Sequence, residues 1–179
     1  MGSNRTTRAR AAAIGAFLVG TIVTIATFAQ GPPAGGNGAG AGPAGPPNGP
    51  SPAERAIEYR QAVYTVIGGN FGPIGGMLQG RAPFDGADAL KRAQRVAFMA
   101  DFLDDAFPEI SKQGETKAKS EIWTERAEFD KLVNDFKSHT AALAATLAKD
   151  NKGANDAFKS AATAVANDCK GCHDKFRAR

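Results

Sequence analysis

The sequence predicts an all-α fold, an antiparallel four-helix bundle. Three observations carry the prediction. From residue 52 onward, apolar residues recur at three- and four-residue steps in four successive stretches. No stretch alternates with period two, so no strand is expected. The turns that separate the stretches are mostly short, which makes sequential helices antiparallel neighbours.

Each helix has its own signals. Ser51-Pro52-Ala53-Glu54 is a capping box with proline at the first helical position. The helix it opens carries a seam of Ile57, Gln61, Tyr64, Ile67, Phe71, Ile74 and Leu78. Gly68, Gly69 and Pro73 inside it predict a bend or looseness. Ala82-Pro83-Phe84-Asp85 breaks the pattern, and a second helix is expected from about Asp85 to Ala106, with Leu90, Ala93, Val96, Ala97, Ala100 and Leu103 inward. Phe107-Pro108 ends it, and a polar loop containing Gly114 runs to Ser120. The third helix, about Glu121 to Lys149, presents Ile122, Phe129, Leu132, Phe136, Leu143 and Leu147. The fourth, about Lys152 to Phe176, presents Phe158, Ala162, Val165, Cys169, Cys172 and Phe176 on one stripe.

Both cysteines of the 179-residue chain lie in Cys169-Lys170-Gly171-Cys172-His173. C-x-x-C-H is the spacing at which two thiols add to the vinyl groups of a haem while the next residue ligates its iron. Three residues apart on a helix, both sulfurs face the same way and reach neighbouring edges of one porphyrin. A dithiol redox site would be expected near a strand in a βαβ unit, and none is predicted here. A zinc site usually needs four ligands, and the only other histidine is His139, thirty residues earlier. A disulfide across two helical residues would be strained. The residues therefore point to one haem c per chain, attached through Cys169 and Cys172, buried between helices of the bundle.

The N-terminus is organised differently. Arg5, Arg8 and Arg10 precede an uncharged run of 19 residues, Ala11 to Ala29, with small residues at Thr27-Phe28-Ala29. That is the layout of an export signal. The run is also just long enough to span a bilayer, so residues 1–29 read either as a cleaved signal or as a retained anchor. Both readings put the C-terminal domain outside the cytoplasm. Residues 30–51 form a linker. Gln30 to Pro50 has no charge, no aromatic and no β-branched residue, and cannot bury a core. A spacer of this kind favours a membrane tether through residues 11–29, whereas a cleaved signal needs none. The haem domain spans 52–179. The net charge of +4 falls to +1 without the three N-terminal arginines, leaving 19 bases against 18 acids, so nucleic-acid binding gains no support.

Several short segments together resemble the cytochromes c′, a four-helix-bundle family. They are Tyr59-Arg60-Gln61, Phe71-Gly72, Gly80-Arg81-Ala82-Pro83-Phe84-Asp85, Glu115-Thr116-Lys117-Ala118, Glu121-Ile122-Trp123, and Cys169 to Arg177. They run in the family's order across residues 52 to 179. The place of C-x-x-C-H after three helices, near the C-terminus, is more specific than the motif alone. The resemblance implies an exported homodimer, typically periplasmic, with a high-spin, five-coordinate haem iron. It also implies binding of nitric oxide or carbon monoxide on a hydrophobic distal side and discrimination against dioxygen. Residue by residue, Cys169 and Cys172 match the thioether positions and His173 the axial ligand. Arg60, Gln61, Glu115 and Thr116 match haem-contact positions, with Arg60 a partner for a propionate. Arg177 matches a basic residue beside the proximal imidazole. The chain departs from the family in Phe176, where tyrosine is common, and in Ser120, where a proline usually precedes Glu-Ile-Trp.

Tyr64 matches the position where low-spin relatives carry a methionine as second axial ligand. A neutral phenol is a poor iron ligand, so Tyr64 is expected to pack over the distal face and leave the sixth site open. Met77, about 20 Å along the helix from Tyr64, is too far to serve the same iron, and Met99 reads as core filler. His139 reads as a solvated or locally hydrogen-bonded residue. An electron carrier with a filled sixth position is the alternative function. Peroxidase-like catalysis ranks below both, because no distal His/Arg pair is evident, and the chain is not expected to be an enzyme.

Overall fold

A computed structural model describes residues 49–179, so the expectations for residues 1–29 and for most of the linker lie outside the described residues. The elements in order are α1 (Pro52–Leu78), α2 (Gly86–Ala100), 3-10 turns at Asp101–Asp105 and Glu109–Ser111, α3 (Glu121–Thr124), α4 (Arg126–Lys149) and α5 (Asp156–Phe176). The four long helices close a ring, α1 on α2, α2 on α4, α4 on α5, and α5 back on α1. This is the antiparallel four-helix bundle expected. Among the described residues the only β pairing is one antiparallel bridge between Ala118 and Arg177. No described helix is long and apolar enough to cross a membrane.

The helix starts follow their caps. The Ser51 Oγ accepts from the Glu54 N–H at 3.2 Å, and the Glu54 carboxylate accepts the Ser51 N–H at 2.6 Å. Asp85 caps α2 by accepting from the Asp88 N–H at 3.0 Å, and Asn155 caps α5 by accepting from the Phe158 N–H at 2.9 Å. Each cap satisfies a donor the helix cannot, a contribution of about 1 kcal/mol. α1 runs unbroken through Gly68, Gly69 and Pro73 and ends before Gly80, whose φ of +69° no longer continues a helix.

Three boundaries differ from expectation. The second helix tightens to 3-10 geometry after Ala100 instead of running as α-helix to Ala106. The third is interrupted at Glu125 (φ −114°, ψ 43°), so that Glu121–Thr124 forms a separate turn. In this turn Trp123 is buried and its indole N–H donates to the Phe107 carbonyl at 3.1 Å. The fourth starts at Asp156, because Asp150 holds residues 150–155 in a loop by accepting from the Lys152 N–H and the Asn155 side chain.

That loop meets α2 closely. A methyl on Gly86 would lie 1.7 Å from the Asn151 carbonyl oxygen. Gly86→Ala must therefore displace one backbone or the other, and is expected to destabilise the domain by about 1–3 kcal/mol, read as a lowered urea midpoint.

The core is built from Ile74, Val96, Phe129, Leu143, Leu147, Phe158 and Val165, all essentially inaccessible. On α1 the buried residues are Ile57, Arg60, Val63, Ile67, Ile74 and Met77. The expected seam is thus shifted in part: Gln61 is exposed, and Tyr64, Phe71 and Leu78 are half-buried. Met77 lies in the core and Met99 packs against it, the filler role expected of Met99.

Candidate haem site

A cavity of about 820 Å³ lies between α1, α4 and α5, within the range of small-molecule and cofactor pockets. Arg60, Gln61, Tyr64, Ile67 and Phe71 of α1 form one wall, and Phe129, Leu132, Val133 and Phe136 of α4 a second. From α5 come Asp168, Cys169, Cys172, His173 and Phe176. Thr116, Lys117 and Ala118 close one side. The lining is mostly apolar, with few polar groups.

Of the residues singled out from the sequence, Cys169, Cys172, His173, Arg60, Gln61, Tyr64, Thr116 and Arg177 all line this cavity. Glu115 does not. It is exposed, and its carbonyl accepts from the Gln61 side-chain amide at 3.0 Å, so it touches the site through Gln61. Sequence reasoning missed Asp168, Lys117 and the α4 wall, because nothing in a single sequence says which helix faces a cavity.

The two cysteine side chains lie half-buried on the inner stripe of α5. Burial pushes each up to about 11, and the Asp168 carboxylate beside them acts in the same direction. Burial holds the His173 imidazole below its ordinary value, and the Arg177 cation lowers it further. The ring is therefore neutral near pH 7, with a lone pair to offer a metal. The zinc alternative would need His139 at the cysteines, but its Nδ1 lies 2.7 Å from Asp168 Oδ2. That partner is on another helix, not local as the sequence led us to expect.

Arg60 is the least exposed charged residue of the site, at 3 %. Its guanidinium donates to Ser111 Oγ and to Thr116 Oγ1, each at 2.8 Å, and to the Ala106 carbonyl at 3.2 Å. It also stacks over Phe107, 4.9 Å from the ring centroid. Every acceptor is neutral, and among the described residues no carboxylate lies within 4.0 Å of it. A buried cation without an anion is costly, so an acidic group in the cavity would complete the site. One turn on, burial raises the Tyr64 phenol far above its usual range, with Arg60 opposing, so the hydroxyl stays protonated. The tail is fastened beside the motif. The Lys119 N–H donates to the Phe176 carbonyl at 3.0 Å and the Ala178 N–H to the Lys117 carbonyl at 2.8 Å.

Two more cavity positions lack side chains. Gly68 and Gly72 follow Tyr64 at successive helical turns, and a Cβ on either would meet nothing within 4 Å.

Two neighbouring thiols, an adjacent imidazole and an unneutralised cation in one apolar cavity fit a porphyrin with acidic side groups. A family model described as Cytochrome C′ matches residues 55–177. The chain belongs to the cytochrome c′ family. A cytochrome c′ of Rubrivivax gelatinosus is 36 % identical over 123 residues, covering 68 % of this chain and 93 % of that protein. The solved cytochrome c prime of Shewanella frigidimarina superposes with a TM-score of 0.67 at 36 % identity, over 71 % of this chain and 97 % of the other. A ferrous variant of cytochrome c prime from Alcaligenes xylosoxidans with bound NO superposes with a TM-score of 0.63 at 26 % identity, over 71 % of this chain and 96 % of the other. As a member of the cytochromes c′, the chain carries haem c, held as thioethers at Cys169 and Cys172. Once these form, the two sulfurs no longer titrate.

Proposed function

We propose that this protein is an exported, high-spin haem protein whose iron has His173 as its single axial ligand. It binds nitric oxide or carbon monoxide on the open distal side and can pass single electrons. When bound, the haem supplies an iron that cycles between ferric and ferrous states and accepts a diatomic ligand.

One observation carries the reading. Among the described residues lining the cavity, His173 is the only histidine, no methionine is present, and the one phenol, Tyr64, is held protonated. Met77 and Met99 pack within the bundle instead. No side chain is left that commonly fills a sixth position. Cys169 and Cys172 fix the porphyrin edge, and Arg60, already oriented by Ser111 and Thr116, offers its charge to a propionate. Gln61 and Thr116 add polar contacts, and Arg177 lies beside the proximal imidazole. Tyr64, edge-on to Phe107 at 6.2 Å, packs over the distal face and excludes water from it. The NO-bound relative supports nitric oxide as the ligand class.

The absorption spectrum of the reduced protein tests this. A broad high-spin spectrum that shifts on adding nitric oxide is expected. A sharp, split low-spin pattern would sink the open-site reading and leave the electron carrier with six ligands.

The homodimer belongs to the same proposal. Tyr59 and Val66 on α1 and Phe98 on α2 expose apolar surface on the helices away from the cavity. So does placement in the periplasm, either soluble after cleavage or tethered through residues 11–29, which the intact mass of the mature protein distinguishes.

A further inference from the structure

One hydrogen-bonded pair at the cavity has no part in holding the haem. His139 of α4 meets Asp168 of α5 across 29 residues of chain, Nδ1 to Oδ2 at 2.7 Å. The Asp168 side chain is 12 % exposed, lines the cavity and directly precedes Cys169. The His139 side chain is 45 % exposed, so its ring reaches solvent while its partner reaches the cavity. With Nδ1–H donating to the carboxylate, Nε2 is left as the acceptor of the neutral ring.

We propose that the His139–Asp168 pair takes up one proton when the haem takes up one electron. The electron comes from an external one-electron donor and reduces ferric to ferrous iron. The proton comes from bulk water and bonds to His139 Nε2, turning an imidazole–carboxylate pair into an imidazolium–carboxylate pair. No other bond forms or breaks. The proposal rests on the reading that the haem fills this cavity and passes electrons.

Electrostatics gives the direction. Asp168 is the only carboxylate among the described residues that line the cavity. An added electron at the iron lowers the local positive charge, and through the weakly screening interior it raises the affinity of the pair for a proton. Imidazole is the side chain that changes charge between pH 5 and 8. The other charged groups facing Asp168 are Asp135 and Lys131 of α4, which pair with each other at 2.6 Å and so largely cancel. The other ionisable side chains in the cavity wall are the basic Arg60, Lys117 and Arg177, the Tyr64 phenol held protonated by burial, and His173, the proposed iron ligand. Burial pushes the Asp168 carboxyl up and the His139 hydrogen bond pulls it down, as expected of a carboxylate that depends on its partner.

The test is the midpoint potential of the holoprotein measured from pH 5 to 8. The wild type is expected to become harder to reduce as pH rises, with a slope that stays below the one-proton, one-electron limit of about 59 mV per tenfold change in proton activity. His139→Gln, outside the cavity lining, should flatten that slope while leaving the visible spectrum of the ferric haem unchanged, and Asp168→Asn should flatten the slope as well. Redox difference infrared spectra should lose an imidazole band in the first variant and a carboxylate band in the second. A His139→Gln protein with the wild-type slope would overturn the proposal, as would a wild-type midpoint that ignores pH. The absence of any reversible couple would overturn it together with the electron-transfer reading, whereas the other outcomes leave that reading intact.

Discussion

Alanine at His173 is expected to leave the haem on the chain and strip the iron of its proximal bond. The thioethers form at Cys169 and Cys172, so the protein mass should still include one haem. The visible spectrum should change completely, because the variant offers the iron no other cavity ligand. The polypeptide itself should hardly notice. His173 is largely exposed at the cavity edge, so the substitution should cost within about 0.5 kcal/mol in the haem-free chain. The contrast between a large spectral effect and a small effect on folding isolates the axial role. An unchanged spectrum would show that His173 is not the ligand.

Arg60→Met is expected to do the reverse, damaging the fold and the haem environment together. The side chain holds three segments at once: the Ala106 carbonyl after α2, Ser111 in the following turn, and Thr116 beside the cavity. Hydrogen bonds from a charged donor contribute about 1.5–3 kcal/mol each, but the cost of burying the charge offsets part of that sum. A net loss of about 3 kcal/mol in the holoprotein is expected from urea unfolding, against a smaller loss without haem, where no propionate neutralises the cation. Arg60→Lys should restore the charge without restoring the loss, because an ammonium cannot serve several fixed acceptors as the guanidinium fork does. Equal losses with and without haem would remove the propionate from the account.

These two residues mark what could and could not be read in advance. The haem motif is local: its spacing and its stripe on α5 follow from helical periodicity alone, and Phe158, Ala162, Val165 and Phe176 are buried where that stripe placed them. The capping box at Ser51 was equally legible, because every atom it uses lies within four residues. On α1 the periodicity misled in part. The helix presents two adjacent stripes, one to the other helices through Val63 and Met77, the other to the cavity through Gln61, Tyr64 and Phe71. Apolar residues serve both, so a single seam drawn through them mixes core with cavity wall. Arg60 illustrates the other limit. Its interior position depends on acceptors some 46 to 56 residues away, and no local rule brings them together. The break at Glu125 was hidden for the same reason, since Trp123 and Phe107 meet only in the folded bundle. His139 gave no hint of Asp168, because their contact depends on the packing of α4 against α5.

The bare positions at Gly68 and Gly72 set a thermodynamic problem for α1. Each glycine within a helix gives up about 1 kcal/mol relative to alanine, and here the neighbouring protein gains no contact in return. The room for the prosthetic group is thus defined partly by side chains that the helix does without. Stability measured on the haem-free chain will understate how well this sequence suits its fold. The missing contacts are ones that only the cofactor can make, so the covalently attached haem completes the packing of this helix.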